Sequence, residues 1–425
     1  MKFLITNIQI KNYSGSEINA LSIAEALTSF GHQVEVGTFL VDSPMKEIFA
    51  QKGIPVIKLL DGSVDNFDHD VIWGHHFPTM TQVVLKKNWQ PARLLFSSLS
   101  TIMPIEAPPA FHEDIPLFLS HNPVNTEVLI RNGVSASKIH YFPNYADSSF
   151  FRSEPTISGD LRKILIVSNH PPVELLEFTE RARKLSLEVD LVGWAGEPKL
   201  VDVELLTKYD LIITIGKTVV YCFAAQVPVY CYDHFGGQGY ITEDNYEKSL
   251  RHNFSGKGFD RFLSGQELVK DIQSGYDDAV NRSGWLKLRC EEELNLEKNL
   301  RVLCKRIEQL PLAIPNEIKQ KYTLLERHHD AQPFWAQFFT DKDLIARKLL
   351  AMQREDEENS LSTDKLAVFS RLTDRVSEMQ GQVELLQSEI LETNKVILAM
   401  KNSTSWKISR PVRLIKDLLL KLKKK

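Results

Sequence analysis

Short runs of apolar, β-branched residues recur along the first 232 residues and alternate with stretches whose apolar positions repeat every three or four residues. The first pattern is typical of strands buried on both faces of a parallel sheet, and the second indicates helices that cover it. Strands are predicted at 3–10, 34–40, 55–59, 70–73, 94–97, 117–120, 163–167, 189–192, 211–215 and 229–232. Helices are predicted at 18–30, 45–51, 173–185, 203–206, 219–226 and 266–275. The alternation stops near residue 145 and restarts near 163, which predicts two tandem Rossmann-like α/β domains that face a cleft.

The last third of the chain has a different pattern, helical from residue 285 to about 352 and heptad-like from residue 369. Nine of the ten a and d positions are apolar in the set Phe369, Leu372, Val376, Met379, Val383, Leu386, Ile390, Thr393, Ile397 and Met400. This spacing predicts a coiled-coil stalk that makes the protein an oligomer; the alternative is one amphipathic helix packed on the body. The predicted domains are 1–150, 151–285, a helical region at 286–355, a coiled coil at 356–400 and a tail at 401–425.

Charge is unevenly distributed along the chain. The net charge is only −4, which gives no indication of nucleic-acid binding. The tail, residues 401–425, nevertheless contains nine Lys and Arg residues, interspersed with apolar ones, and one acid, Asp417. This composition predicts an interfacial helix on an anionic membrane surface; the alternative is a solvated basic end.

Cysteine usage and hydropathy predict a cytoplasmic protein. The four cysteines include no Cys-x-x-Cys pair, so they are expected to be reduced core thiols. No uninterrupted apolar stretch approaches 18 residues, so no membrane span is predicted. Residues 1–10 are interrupted by polar positions and predict a first strand, not a signal peptide.

The glycines that follow two of the predicted strands are candidates for an anion site. Gly216, Lys217 and Thr218 separate the strand at 211–215 from the next helix. Free helix amides, the helix dipole and the lysine charge favour an anion there. Gly236 and Gly237 follow the next strand, and a loop at that position would lie at the same carboxyl edge of the sheet. The two loops together predict a phosphate-bearing ligand; the alternative for the first is a plain turn.

Several histidines also follow predicted strands. His75 and His76 come after the strand at 70–73, and His121 comes after the strand at 117–120. Each is a candidate for chemistry at the ligand edge, and the alternative for each is a capped or buried structural histidine. No metal site is predicted.

Four motifs together are similar to the family 4 glycosyltransferases of the GT-B fold, particularly bacterial enzymes of surface-polysaccharide assembly. Residues 14–17, 24–27 and 31–36 resemble the family's N-terminal glycine loop, helix and GHxVxV strand. Residues 141–147 (YFPNYAD) resemble its xxPNxxD domain junction, and residues 216–229 resemble its G(R/K)T…EAxAxGxPV donor segment. Residues 402–413 resemble a tail that many bacterial polysaccharide enzymes share. The resemblance covers about residues 1–280 and the tail.

The resemblance implies a metal-independent, retaining transfer of a hexosyl or deoxyhexosyl group to a lipid-linked or growing polysaccharide, a glycan or glycolipid acceptor. The nucleotide sugar is the substrate, and no separate cofactor is implied. His75 and His76 are the expected catalytic residues. The expected donor-binding residues are Gly15, Ser16, Asn169, Gly216, Lys217, Thr218, Gly236 and Gly237. Glu17 and His121 are the expected acceptor-binding residues, and the first domain is the acceptor side.

The chain departs from the family at two positions. Ser168, Asn169 and His170 stand where many members have a basic pair, and Tyr221 stands where the donor-binding glutamate is expected. Two other functions therefore remain open. One is a sugar-nucleotide epimerase on the same fold. The other is a non-catalytic scaffold that acts through its coiled coil.

Overall fold

The computed structural model describes residues 1–101, 103–152, 159–169, 171–193 and 198–322. All of these residues belong to one compact unit, Met1–Ala336. The predicted coiled coil at 356–400, the basic tail at 401–425 and the helical region beyond residue 322 lie outside the described residues. Within the described part of the chain, every helix is too short or too polar to cross a bilayer.

The first domain is built on a seven-stranded parallel sheet. Its strands are β1 Lys2–Thr6, β2 Gln9–Ile10, β3 Gln33–Thr38, β4 Leu40–Val41, β5 Val56–Lys58, β6 Asn66–Phe67, β7 Val71–Gly74, β8 Asn88–Trp89, β9 Arg93–Ser98, β10 Leu117–Ser120 and β11 Ile139–Tyr141. The order in the main sheet is β11-β10-β9-β7-β1-β3-β5, whereas β2 pairs with β4 and β6 pairs with β8. The helices are α1 Gly15–Ser29, α2 Met45–Gln51, α3 Phe77–Thr81 and α4 Pro123–Arg131, with a π-helical turn at Gln82–Lys86 and 3-10 turns at Pro104–Glu106, His112–Asp114 and Ala136–Lys138.

The second domain has a five-stranded sheet of the order β13-β12-β14-β15-β16, in which the final strand is antiparallel. Its strands are β12 Lys163–Val167, β13 Glu188–Val192, β14 Leu211–Thr214, β15 Val229–Asp233 and β16 Gly236–Tyr240. Its helices are α5 Ser148–Phe151, α6 Val173–Lys184, α7 Val203–Leu206, α8 Lys217–Ala225, α9 Tyr246–Arg251 and α10 Gly265–Glu293. β14 is buried at all four positions, as its apolar sequence predicts.

The chain then returns to the first domain. Helix α11, Leu296–Glu308, places Leu296, Leu300 and Leu303 in the same core as Phe3 of β1. Helix α12, Pro315–Tyr322, ends with the Tyr322 hydroxyl donating to Asp114 at 2.7 Å. The described part of the chain therefore contains two α/β sheets, one parallel and one mixed, and the division into two domains with the predicted limits stays a prediction.

Three local predictions were wrong. The strand predicted at 3–10 is divided into β1 and β2, because β2 pairs with β4 and not with the main sheet. The helix predicted to end at residue 275 continues to Glu293. Gly275 lies within that helix. A Cβ at this position would be 2.8 Å from the Tyr240 ring, so the glycine allows the helix to pack closely against Tyr240. The segment from Gly236 to Tyr240, predicted as a glycine loop, is a strand.

Candidate functional site

The turn between β14 and α8 is the first component of the site. Gly216 adopts φ +69°, and α8 begins at the next residue, Lys217. A Cβ on Gly216 would meet no atom within 4 Å, so the turn faces open space. The first amides of a helix have no partner within it, and the dipole is positive at this end. Lys217 and Thr218, in the first turn of α8, therefore frame a place suited to an anion.

Lys217 adds a buried cation to this turn. Its Nζ is buried and has no hydrogen-bond partner among the described residues. The nitrogen lies 4.2 Å from the centroid of the Tyr145 ring and 5.7 Å from that of Tyr221. Burial lowers the pKa of Lys217 to about 7, against a weaker opposite effect of Asp147. A buried ammonium group without an acid partner gains more from an anionic ligand than an exposed one does.

His75 approaches the same region from the first domain. It directly follows β7, and its amide donates to Thr6 O at 2.9 Å, at the carboxyl end of β1. Both ring nitrogens of His75 are buried and have no partner in the described part of the chain, and neither has Thr6 Oγ1. Burial, with a smaller effect of the Lys217 charge, lowers the pKa of His75 to about 3. The first domain therefore presents a neutral imidazole near Lys217.

Tyr145 connects the two domains beside this pair. Its hydroxyl donates to Asn19 of α1, reaching the main-chain oxygen at 3.3 Å and also the side-chain oxygen. Its ring faces the ammonium of Lys217. Tyr221, where the family has a glutamate, is buried in the second core and stacks on Phe150 with the ring centroids 4.1 Å apart. The position therefore carries an aromatic ring that packs in the core, and no acid.

His76 is held differently from His75. Its Nδ1 accepts a hydrogen bond from the amide of Ile8 at 3.0 Å, so the ring proton of the neutral form is on Nε2. That nitrogen lies 4.0 Å from Oε1 of Glu106, whose other oxygen accepts from the amide of Leu99. Burial lowers the pKa of His76 to about 3 and raises the pKa of Glu106 to about 8. Both side chains are therefore mainly uncharged at neutral pH, and the catalytic role of His76 stays a prediction.

Gly15, Ser16 and Glu17 lie in the first turn of α1, so the prediction that they form a loop before the helix was wrong. Gly15 faces open space. The buried Glu17 carboxylate accepts hydrogen bonds from the amides of Lys11, at 2.6 Å, and Asn12, at 2.8 Å, and from the Ser14 hydroxyl. These hydrogen bonds stabilise the start of the helix, because they satisfy donors of the preceding turn. Acceptor binding by Glu17 and donor binding by Gly15 and Ser16 stay predictions.

His121 lines a small, partly open cleft. The cleft combines polar residues such as Ser97 and Asn144 with apolar Leu119 and Phe142. Nδ1 of His121 bonds to Ser98 O at 3.1 Å, and Nε2 bonds to the side chain of Asn122 at 2.9 Å. Burial lowers the pKa of His121 to about 4. Since both ring nitrogens are engaged, His121 contributes shape to the cleft, and its acceptor-binding role stays a prediction.

Gly236 and Gly237 begin β16 instead of forming a loop. The amide of Gly237 donates to Arg261 O at 3.1 Å, so it is not free to bind a phosphate in this arrangement. A Cβ on Gly237 would lie 1.9 Å from Cys231 O, which explains the glycine by close strand packing. Both residues remain at the carboxyl edge of β15, and their contact with a donor stays a prediction.

Asn169 is exposed and follows β12 at the same carboxyl edge. Its neighbour Ser168 is buried, and the Ser168 hydroxyl donates to the Asp233 carboxylate, with distances of 2.9 and 3.0 Å to the two oxygens. This contact connects the ends of β12 and β15. Ser168 and Asn169 therefore supply no positive charge where many family members have a basic pair, and His170 lies outside the described residues.

The predicted site residues separate into two groups. Gly216, Lys217 and Thr218 are consecutive and the Lys217 charge acts on His75, whereas Glu17, His76 and His121 are held by surrounding atoms. Sequence reasoning missed Glu106, for which no motif gave a signal, and Tyr145, which lies within the junction motif. Among the described residues, no group of three or more His, Cys, Asp or Glu is arranged to hold a metal ion. Metal independence stays a prediction.

No protein-family model and no curated protein matches the chain. Among solved structures, the chain is similar to Anabaena HepE in complex with UDP and glucose, with 14% identity and a TM-score of 0.50 over 73% of this chain and 100% of that one. It also matches a glycosyltransferase from Rickettsia africae, with 12% identity and a TM-score of 0.48 over 72% of this chain and 98% of that one. The likeness to HepE concerns the fold, and by it the chain is a mixed α/β protein that resembles the GT-B glycosyltransferases.

Proposed function

We propose that this protein is a glycosyltransferase that moves a sugar from a nucleotide sugar to an acceptor hydroxyl. The observation that carries the proposal is the buried Lys217 ammonium, which has no hydrogen-bond partner in the described part of the chain and lies at the N-terminus of α8. The ring nitrogens of His75 also have no hydrogen-bond partner there, and this residue of the first domain lies within reach of the Lys217 charge. Leaving such groups unsatisfied costs stability, so a ligand that satisfies them is the physical reason to retain them.

The proposed reaction uses these groups at the bond that breaks. The bond between the anomeric carbon and the diphosphate oxygen is cleaved, and the acceptor oxygen forms a bond to that carbon. The proton of the acceptor hydroxyl passes to the leaving diphosphate or to solvent. Negative charge then develops on the leaving nucleoside diphosphate. Lys217 and the first amides of α8 are placed to stabilise it, which is the type of contribution that lowers such barriers most. His75, neutral at pH 7, is suited to donate or accept one hydrogen bond to the sugar.

The fold supports the same proposal without establishing it, since one fold hosts many activities. HepE, which shares the fold, was crystallised with UDP and glucose, the components of a nucleotide sugar. We further propose that transfer is retaining and metal-independent, that a hexosyl or deoxyhexosyl group is moved, and that the acceptor is a lipid-linked or growing surface polysaccharide. These finer statements rest on the family 4 resemblance. Attachment to the inner membrane face through the tail at 401–425 and oligomerisation through 356–400 rest on sequence pattern alone.

A calorimetric ligand panel tests the proposal. UDP, GDP, dTDP and their sugars are titrated into the wild type, into Lys217→Met and into Lys208→Met, a control at an exposed lysine of the same domain. One nucleotide should bind saturably, and Lys217→Met should weaken it tenfold or more while Lys208→Met changes it less than twofold.

Incubation of the protein with the bound sugar nucleotide, without an acceptor, tests for the epimerase. A new sugar epimer would assign an epimerase. Incubation with membrane extracts should instead transfer labelled sugar to a lipid-extractable or polymeric product. If the folded protein binds no member of the panel, the donor site is refuted and the non-catalytic scaffold becomes the better explanation.

A further inference from the structure

The segment of residues 252–260, here named the edge segment, lies against two parts of the second domain. The first is the turn at Gly216, before α8, and the second is the turn between β15 and β16, which ends at Gly236. Phe254 O accepts a hydrogen bond from the amide of Gly216 at 3.1 Å. The backbone at Gly256 is so close to the second turn that a Cβ there would lie 2.6 Å from Gly236 O. At its start, Asn253 accepts from the Asn144 side chain of the domain junction at 2.7 Å. The edge segment therefore forms one wall of the region between the domain junction, α8 and β16.

The fold holds the edge segment in an unfavourable backbone conformation. Asn253, Phe254 and Asp260 have φ values of 55°, 52° and 49°, in the left-handed region that residues with a Cβ rarely adopt. Each such residue costs about 1–3 kcal/mol and persists only where its surroundings determine it. Buried Phe254 anchors the segment in the second core. The conformation is thus imposed by packing, and it fixes where the following side chains start.

The edge segment and the end of α9 concentrate positive charge. Lys248, Arg251 and Lys257 all act to lower the pKa of His252, in addition to burial, so the three cations surround this histidine. Arg251 is paired with Glu127 at 2.7 Å. In the described part of the chain, Lys248 and Lys257 contact only aromatic rings, with Nζ 4.4 Å from the Phe259 centroid and 4.2 Å from the Phe235 centroid respectively. Two cations thus lie close to like charges without an acid partner, an arrangement that an anion would stabilise.

We infer that Lys257 is a second cation for the diphosphate of the nucleotide ligand, which replaces the basic pair that the chain lacks at 168–170. The inference rests on the proposed function. Lys257 follows Gly256, which packs on Gly236, and its ammonium lies over the ring of Phe235, the residue before that glycine. Among the cations of the cluster, Lys257 is therefore the one whose backbone and ammonium both lie beside the turn between β15 and β16.

The charge of the ligand explains why a second cation is needed. A diphosphate bridging a sugar and a nucleoside carries two negative charges, and Lys217 supplies one positive charge from the α8 side. The Asp233 carboxylate lies at the same edge, where it accepts hydrogen bonds from Ser168 and the His234 amide. Its negative charge would oppose the ligand unless a further cation offsets it. The flexible ammonium of Lys257, held only by an aromatic ring, can move to the ligand at little cost.

Matched substitutions test the inference. Lys257→Met removes the proposed cation, and Lys248→Met removes the neighbouring lysine, which has the same charge and the same type of ring contact. Inorganic pyrophosphate, UDP, GDP and dTDP are titrated into each folded variant by calorimetry, and pyrophosphate is also used to displace the bound nucleotide. Lys257→Met should weaken pyrophosphate and the bound nucleoside diphosphate at least fivefold, whereas Lys248→Met should change both less than twofold. Circular dichroism and thermal unfolding check that each variant is folded.

The outcomes separate this inference from the proposed function. Nucleotide binding that is unaffected by Lys257→Met, or weakened equally by both substitutions, overturns the role of Lys257 and leaves the proposed function intact. Binding of pyrophosphate alone, dependent on Lys257, supports the diphosphate site but refutes the nucleotide donor. If the folded wild type binds neither ligand, both the inference and the proposed function are refuted.

Discussion

Replacing Lys217 with methionine should stabilise the unliganded protein while it weakens ligand binding. Methionine keeps a long apolar side chain that can stay against the Tyr145 ring, but it removes the ammonium that has no hydrogen-bond partner in the described residues. The groups that act on this ammonium are His75 from the first domain, Tyr145 and Asp147 from the junction and Tyr221 from α8. Asp147 and the neighbouring aromatic rings favour its charged form, but burial outweighs them.

The magnitude follows from the pKa of Lys217, which burial lowers from 10.5 to about 7. One pKa unit corresponds to about 1.4 kcal/mol, which sets an upper limit of about 5 kcal/mol on the cost of burying the charge. Lys217 as a whole is only partly buried. We therefore expect Lys217→Met to raise the free energy of unfolding by about 1–3 kcal/mol at pH 7.

The sign of the pH dependence is fixed by the same shift. Between pH 7 and 10.5 the unfolded chain retains the proton of Lys217 and the folded chain has lost it. The wild type therefore gains stability as the pH rises through this range, whereas Lys217→Met does not. The advantage of the variant should be largest at pH 7 and below, and it should be nearly absent at pH 10. Urea unfolding at a series of pH values measures it.

Ligand binding should return the proton. A nucleotide sugar has no phosphate group that titrates near neutrality, so it serves as the probe. With half of the Lys217 side chains neutral at pH 7, binding should take up about half a proton, and at pH 8.5 nearly one. Calorimetry in two buffers with different ionisation enthalpies measures this uptake. If Lys217→Met takes up as many protons as the wild type, or if it is less stable than the wild type at pH 7, the reasoning on Lys217 is refuted.

Three other substitutions test separate parts of the structure. Because burial raises the pKa of Glu106 to about 8, the wild type should lose stability as the pH rises from 4.5 to 8. In urea unfolding, the free energy of unfolding of Glu106→Gln relative to the wild type should therefore increase by up to a few kcal/mol over that range. A difference that becomes smaller as the pH rises would contradict this. Tyr145→Phe leaves Asn19 without its donor and should cost about 1–2 kcal/mol, against little for Tyr141→Phe at an exposed position. Gly237→Ala should cost several kcal/mol in thermal unfolding, since its Cβ would lie 1.9 Å from a backbone oxygen, and a stable variant would show that β16 is placed wrongly.

The strand and helix pattern could be predicted because each element has its own periodicity. Helix α2 and strands β10 and β12 occupy the residues that the pattern indicates, Met45–Gln51, Leu117–Ser120 and Lys163–Val167. Two of the errors involve glycines. Gly237 was interpreted as part of a loop and the helix was predicted to end at Gly275, whereas both glycines allow other atoms to approach closely. A sequence shows that a glycine is present, but not whether backbone conformation or a neighbouring atom requires it.

The candidate site could be predicted only where chemistry and fold position coincide. Lys217 was identifiable because a lysine follows a glycine at the end of a buried strand. Glu106 was not identifiable, because its raised pKa comes from burial between segments that are distant in sequence. Lys257 was missed for a similar reason, since its position depends on the packing of Gly256 against Gly236. Such contacts are tertiary, and no local pattern encodes them.

The buried polar atoms that have no hydrogen-bond partner are not all of one kind. In the described part of the chain, several polar side chains have one buried atom without a partner and another that is bonded, as Asn7 does through its Nδ2. In Thr6, His75, Lys217 and Gln238, by contrast, every polar atom of the side chain is buried and unpartnered. Of these four, Lys217 and His75 are the two titratable residues. They come from different domains, yet the Lys217 charge affects the His75 imidazole. Two isolated packing defects would have no reason to lie within electrostatic reach of each other at the carboxyl ends of strands from two sheets. A ligand that bridges the domains gives that reason, and a diphosphate joined to a sugar presents the anion to Lys217 and the hydroxyl groups to His75.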